Sequence, residues 1–249
     1  MSQLTTPAVV NEGHAMIAGA AVTSPHCEQA AADDGSGTID PIYRAGARGA
    51  TCWARNHRGQ ARELPMIRWM GGPTSARGDR LADGHILAAC SAAPTLDLGC
   101  GPGRFTAALQ ATGSAALGVD SSRAAVEMTR TRGGAAIHLD VFGSLPAEGD
   151  WEQVLLADGN IGIGGDPIRT LRRAADMVSG SGRVIAEVDP PTVGVVREVV
   201  RWETRNHVGP WFPWSRVGAG ALGELAYAAG LLVTGVVEIH GRFIATFTH

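Results

Sequence analysis

The chain has no lysine: all 21 of its basic residues are arginine. That excludes a phosphate-binding P-loop, a lysine Schiff base and a lysine general base, each of which needs an amine on a flexible stem. Cysteine is scarce too. The four, Cys27, Cys52, Cys90 and Cys100, form no CxxC pair, which fits reduced thiols and argues against a disulfide framework or a zinc site. No apolar run approaches the roughly 18 residues that a membrane span needs. The opening stretch MSQLTTPAVVNEGHAM lacks the basic flank and apolar core of a secretory signal, so the expectation is a soluble, cytoplasmic protein with no membrane partner. Net charge is −3 and no arginine-rich run stands out, so no nucleic-acid partner is expected either.

What is present is a chain of 249 residues, enough for one α/β domain with additions at its front. Residues 1–38, rich in Ala, Gly, Ser and Thr, read as a flexible arm. Residues 39–93 read as an N-terminal hairpin and helix extension: two short strands about the turn Asn56-His57-Arg58-Gly59, then the helix DRLADGHILAAC capped by Asp79. In residues 94–249 the strand runs TLDL, AALGVD, AAIHLD, WEQVLLAD and GRVIAEVD alternate with helical stretches, and that alternation dictates a parallel sheet. A Trp- and Pro-rich insertion follows, read as a loop, then the helix ALGELAYAAG. Two last strands, LLVTGVVEIH and RFIATFTH, join at His240-Gly241, a turn so tight that the pair must be antiparallel.

The strongest local pattern is Leu96-Asp97-Leu98-Gly99-Cys100-Gly101-Pro102-Gly103, an acid at a strand end and three glycines in the turn before a helix. Glycine lets backbone approach a ligand closely. A dinucleotide fingerprint needs a further glycine one residue later, where this chain has Arg104, and the phosphate-cradling reading weakens accordingly. S-adenosylmethionine carries no phosphate and has an ammonium that Asp97 can attract. The pattern resembles the first motif of the class I S-adenosylmethionine-dependent methyltransferases, and the resemblance runs from Asp97 to the C-terminus.

That resemblance implies an α/β, Rossmann-like fold: a seven-stranded, mostly parallel sheet with an antiparallel last strand and helices on both faces, here with the N-terminal hairpin and helix added. It implies S-adenosylmethionine as cofactor, held by Asp97, Gly99, Cys100, Gly101 and Gly103. Further contacts are implied at Asp120 with Ser121 for the ribose hydroxyls, at Asp140 and Val141 for the adenine, and at Asp158, Gly159 and Asn160 after the fourth strand. Asp140 has a competing reading as a cap. Cys100 reads as a small side chain in a crowded turn, not a nucleophile. The glycine-rich run from Asp158 to Asp166 must lie close to something, taken to be cofactor and acceptor, with Asp166 itself capping the helix from Pro167.

The same resemblance puts the acceptor between the segment before the first strand, with Arg68 and Trp69, and the insertion Arg201–Arg216. There Arg205, His207, Trp211 and Trp214 are candidate acceptor contacts beside Asn160, forming a lid; the alternative is that the aromatics merely pack the loop onto the sheet. If the acceptor must lose a proton, His207 leads as the base, because its pKa is ordinarily near 6.5, and Asp158 is second. No metal is expected, since Asp189-Pro190-Pro191 lacks the Asp-Asn pair of metal-dependent relatives. The reading is methyl transfer to a small-molecule acceptor, with oligomeric state left open. The alternatives are a protein that keeps the pocket for binding or regulation, and a nicotinamide-dependent oxidoreductase.

Overall fold

In a computed structural model, residues 38–72, 75–90 and 93–249 are described. The expected arm, residues 1–38, falls outside them save for its last residue. The chain runs through α1 (Asp40–Ala47), β1 (Trp53–Asn56), β2 (Ala61–Glu63), α2 (Met66–Met70), α3 (Arg77–Cys90), β3 (Thr95–Leu98), α4 (Arg104–Ala111), β4 (Ala116–Asp120), α5 (Arg123–Thr131) and β5 (Ala136–His138). It continues through β6 (Trp151–Leu156), α6 (Pro167–Met177), β7 (Val178–Val188), β8 (Val195–Glu203), β9 (Val208–Val217), α7 (Leu222–Ala228), β10 (Leu232–Ile239) and β11 (Arg242–Thr248).

Seven strands form one sheet in the order β10-β11-β7-β6-β3-β4-β5. All pairs are parallel except those of β11, which runs antiparallel to β7 and to β10. The central strands are buried on both faces, which is why TLDL and VLL read as continuous apolar runs. On one face Leu171, Ala174 and Met177 of α6 and Leu222 and Leu225 of α7 pack against Leu96, Leu98 and Val154. On the other, Ile86 and Cys90 of α3 and Phe105 and Leu109 of α4 cover Leu155 and Ile185. Each such fully buried Leu or Ile contributes about 1.5–3 kcal/mol. Ser122 caps α5, and Asp166 caps α6 ahead of Pro167. Asp79 does not cap α3 but lies inside its first turn, because the helix begins two residues earlier than its apolar period.

A second sheet, β2-β1-β8-β9, overturns the reading of the insertion as a loop. Val195–Glu203 and Val208–Val217 are a long antiparallel hairpin, and its Pro210 and Pro213 are tolerated because β9 is an edge strand of that sheet. The N-terminal hairpin pairs onto it, with Arg62 opposite Ala54 and Ala54 opposite Trp202. Side chains alternate across a strand, so one face of this sheet carries Arg62, Trp202, Phe212, Trp214 and Arg216, and Trp211 stands on the other. Trp202 is the hub of the first face, with Trp69 at 5.3 Å, Tyr43 at 5.5 Å and Phe212 at 5.8 Å between ring centres. Among the described residues no helix is long and apolar enough to cross a membrane.

Candidate active site

Strand order reverses at β3 and β6, whose carboxyl ends part and leave a crevice. The cleft there encloses about 1060 Å³ of empty space, its mouth included. Three parts build it: the glycine loop after β3, the exits of β6 and β7, and the tryptophan-bearing face of the small sheet.

Asp97 ends up beneath the loop because β3 is buried throughout. Thr106 donates to its Oδ2 at 2.8 Å, while its Oδ1 is buried without a partner. Burial raises its pKa to about 7, against the opposing pull of Thr106 and Arg104. A carboxyl in this state has an unmet demand for a cationic donor. Asp120 works differently. Its Oδ2 accepts from the Gly101 N–H and its Oδ1 from the Ser122 N–H, both at 2.8 Å, and burial raises its pKa to about 6. It ties the loop to β4, with one lone pair on each oxygen to spare.

Two of the loop glycines are required by neighbours inside the protein. Gly99 and Gly103 have positive φ, and a Cβ would lie 2.7 Å from Asn160 Nδ2 in the first case and 2.5 Å from the Thr129 side chain in the second. Asn160 Nδ2 donates to the carbonyls of Leu98 at 2.9 Å and Gly99 at 2.8 Å, clamping the β6 exit to the loop. Cys100 packs beside Thr129, and burial pushes its thiol well above the usual range, so it stays neutral.

The β6 exit rests on charge. Asp158 has a left-handed φ of 52°, a conformation that costs energy in a residue other than glycine and is held only by its surroundings. Those are the Arg104 guanidinium at 2.5 Å, Arg68 Nε at 3.3 Å, and a backbone N–H bond to Glu187 Oε2 at 3.1 Å. Arg242 grips both oxygens of Glu187 at 2.7 Å and reaches Asp83, which Arg104 also holds. Burial would raise the Asp158 pKa, but Arg104, Arg68 and Arg242 together hold it below the usual range. A carboxylate held charged by two guanidinium partners is a poor proton acceptor, which argues against Asp158 as a base. The sequence carried a trace of the network in Arg104, which stands where a glycine would suit a dinucleotide, and in Arg242 at the start of an apolar strand.

Two glycines later in the run after β6 have a neighbour inside the protein. A Cβ on Gly162 would fall 1.8 Å from the Ser215 carbonyl oxygen, and one on Gly165 would fall 2.9 Å from Pro213. Ser215 Oγ donates to the Gly165 carbonyl at 2.7 Å. The close neighbour of Gly162 and Gly165 is therefore β9.

Trp69, Trp202 and Trp214 wall the rest of the cleft together with Arg62, Arg68 and Arg216. Arg216 is held through both oxygens of Asp189, at 2.9 and 3.1 Å. Tyr43, supplied by the unforeseen α1, also lines it, with its hydroxyl 3.5 Å from where a Cβ on Gly101 would stand. Burial, then Asp120, raises the pKa of this phenol well above its ordinary value. The start of α1 was visible as Asp40-Pro41, an acid in the first turn with a proline beside it.

Of the residues expected for the cofactor, Asp97, Gly99, Cys100 and Gly101 line the cleft, as do Asp158, Gly159 and Asn160. Gly103, Asp120 and Ser121 do not. Asp140 is exposed, and its Oδ1 accepts from the Phe142 N–H at 3.0 Å in a turn; no helix follows for it to cap. Val141 is buried in the main core. Of the acceptor candidates, Arg68, Trp69, Asn160 and Trp214 line the cleft. Trp211 does not, since its ring lies on the far face under Arg201, at 4.8 Å. Arg205 and His207 sit in the β8–β9 turn and line a separate hollow with Arg48 and Trp53. His207 and Asp158 are therefore not brought together, because the hairpin's register carries residue 207 past the end of the sheet. Among the described residues no group of three His, Cys, Asp or Glu is arranged to hold a metal ion.

Residues 96–163 match the family model described as a methyltransferase domain. No curated protein matches the chain by sequence. A methyltransferase from Bacteroides fragilis, solved with S-adenosyl-L-homocysteine, superposes with a TM-score of 0.65 at 18% identity, over 83% of this chain and 92% of that one. The CcbJ methyltransferase of Streptomyces caelestis gives 0.53 at 17% identity, over 72% and 92%. The 1,6-didemethyltoxoflavin-N1-methyltransferase of Burkholderia thailandensis gives 0.51 at 18%, over 71% and 80%. The chain has the fold of these methyltransferase structures, and its residues 96–163 resemble the methyltransferase-domain model.

Proposed function

We propose that this methyltransferase domain binds S-adenosylmethionine in the cleft and transfers its methyl group to a small-molecule acceptor seated against the tryptophan wall. The observation that carries the reading is the buried, unpartnered Oδ1 of Asp97 beneath the glycine loop, an acceptor whose need an amino-acid ammonium meets. The Bacteroides fragilis structure, solved with S-adenosyl-L-homocysteine, supports the same cofactor. Bound there, S-adenosylmethionine supplies a methyl carbon activated by a sulfonium, which departs as a neutral thioether while a lone pair of the acceptor forms the new bond.

The chain's own part is placement. Asp97 and the loop backbone hold the amino-acid end, and the Gly101 amide is fixed by Asp120. The Asn160 clamp and the Arg104–Asp158 pair hold the β6 exit against the loop, so two reacting groups meet in one geometry. The three indole rings exclude water and present faces that suit a cation. Tyr43, protonated far above neutrality, serves as a hydrogen-bond donor. No residue is assigned as a base. We infer a cytoplasmic setting with neither membrane nor nucleic acid as partner, on the support of the modest charge of −3.

The test is to incubate the purified chain with S-adenosylmethionine and metabolite extracts, looking for S-adenosylhomocysteine and for metabolites that gain one methyl. A cofactor that binds but is never consumed across extracts overturns the reading in favour of a binding protein. Thermal protection by NAD and none by S-adenosylhomocysteine would replace it with an oxidoreductase.

A further inference from the structure

The unmet hydrogen-bonding demand in the cleft has opposite sense at its two ends. At the loop it is an acceptor without a donor, Asp97 Oδ1. At the tryptophan wall it is donors without an acceptor. Trp69 lines the cleft with its indole Nε1–H buried and unpartnered. Arg62 lines it as well, with a solvent-exposed side chain that makes neither ion pair nor side-chain hydrogen bond among the described residues. Of the other two arginines at this end, Arg216 is held by both oxygens of Asp189, and Arg68 is ion-paired with Asp158 while its buried Nε makes no hydrogen bond.

The two acids that reach Arg62 electrostatically, Asp189 and Glu198, each have another partner and make no ion pair with it. Asp189 is taken by Arg216, and Glu198 accepts from Asn56 Nδ2 at 3.0 Å. Loss of solvation, then the positive charge of Arg216, lowers the Arg62 pKa from its ordinary value. An anion placed here would relieve that repulsion. Register makes the position specific: Arg62, Ala54 and Trp202 lie side by side across three strands on one face, so the guanidinium and the indole wall belong to one surface. A small alanine stands between them.

We propose that the acceptor is a planar, carboxylate-bearing molecule whose ring lies against Trp69, Trp202 and Trp214 and whose carboxylate is held by Arg62, with the Trp69 N–H as a second donor. This rests on the methyltransferase reading and deepens it. Cofactor and acceptor then enter oppositely polarised ends, the ammonium toward Asp97 and the carboxylate toward Arg62. A neutral amine or an uncharged alcohol of the same shape offers Arg62 no counter-charge and is discriminated against.

The test uses matched pairs with the full chain saturated in S-adenosylhomocysteine: indole-3-carboxylate against indole-3-carboxamide, and benzoate against benzamide, titrated calorimetrically. Each acid is expected to bind about ten- to a hundredfold tighter than its amide, the range of a hydrogen-bonded charge. The preference should shrink as salt rises. Arg62→Gln should cut it below about threefold and Arg62→Lys should keep part of it, with S-adenosylhomocysteine affinity unchanged in both. Equal binding of acid and amide, no binding of either, or a preference that survives Arg62→Gln overturns the proposal. If S-adenosylhomocysteine itself does not bind the wild-type chain, the methyltransferase reading has failed, and this inference falls with it for that separate reason.

Discussion

Asp97→Asn keeps the shape of the side chain and removes its charge, so it should move stability and cofactor affinity in opposite directions. In the folded chain without ligand the Asp97 pKa is raised from 3.8 to about 7 by burial. A raised carboxyl pKa favours the protonated form on folding. Its stabilisation is therefore complete below the unfolded pKa near 4 and is lost as pH climbs to 7. Three pKa units correspond to about 4 kcal/mol at most. The asparagine variant, which never carries that buried charge, should be about 2–4 kcal/mol more stable at pH 8 and no more stable at pH 4. Thr106 can turn its hydroxyl to suit the amide.

Cofactor binding runs the other way. An ammonium needs the ionised carboxylate, which is about nine-tenths formed at pH 8 and about one-tenth formed at pH 6 if the pKa is near 7. Wild-type affinity for S-adenosylhomocysteine should thus fall about tenfold between those values. Asp120, with its pKa near 6, adds about a further twofold at pH 6, and that part survives in the variant. Asp97→Asn should bind about ten- to a hundredfold more weakly at pH 8, the worth of one charge-assisted bond, with a pH dependence no larger than about twofold. Calorimetric titration at pH 6, 7 and 8, beside urea unfolding at the same values, reads both effects. An asparagine variant that binds as tightly as wild type, or that keeps the tenfold slope, refutes the reasoning. One that loses stability at pH 8 refutes the burial argument alone.

Two further substitutions separate structure from site. Arg104→Lys cannot span Asp83 and Asp158 with one ammonium, so urea unfolding should show a loss of about 3 kcal/mol and kcat/KM should fall as the Asp158 turn loosens; a loss below about 0.5 kcal/mol would show that the pair contributes little. His207→Ala should leave turnover within about twofold of wild type, because residue 207 lies in the β8–β9 turn outside the cleft; a larger drop would return it to the site.

The large sheet was legible because its signals are local. TLDL, buried at all four positions, can only be a covered strand, and the turns at Gly99 and His240-Gly241 punctuate it at short range. The cofactor half of the cleft hangs from those same strand ends, so Asp97, the glycine loop and Asp158 were in sight together. The small sheet was not, because its pairing partners lie far apart in sequence. Arg55 meets Glu203 across 148 residues, and β1 and β2 are four and three residues long, too short to declare a face. Without the register, residue type had to stand for position. His207 was chosen as the one titratable side chain of the insertion poised near neutrality, and Trp211 was grouped with Trp214, although alternation along β9 sends them to opposite faces. Arg62, on a strand whose three residues are all exposed, had no distinguishing neighbour in sequence. It acquires one only when β2 is laid beside β1 and β1 beside β8. The tryptophan-walled half of the cleft is assembled from two ends of the chain, and its chemistry becomes readable only from that pairing.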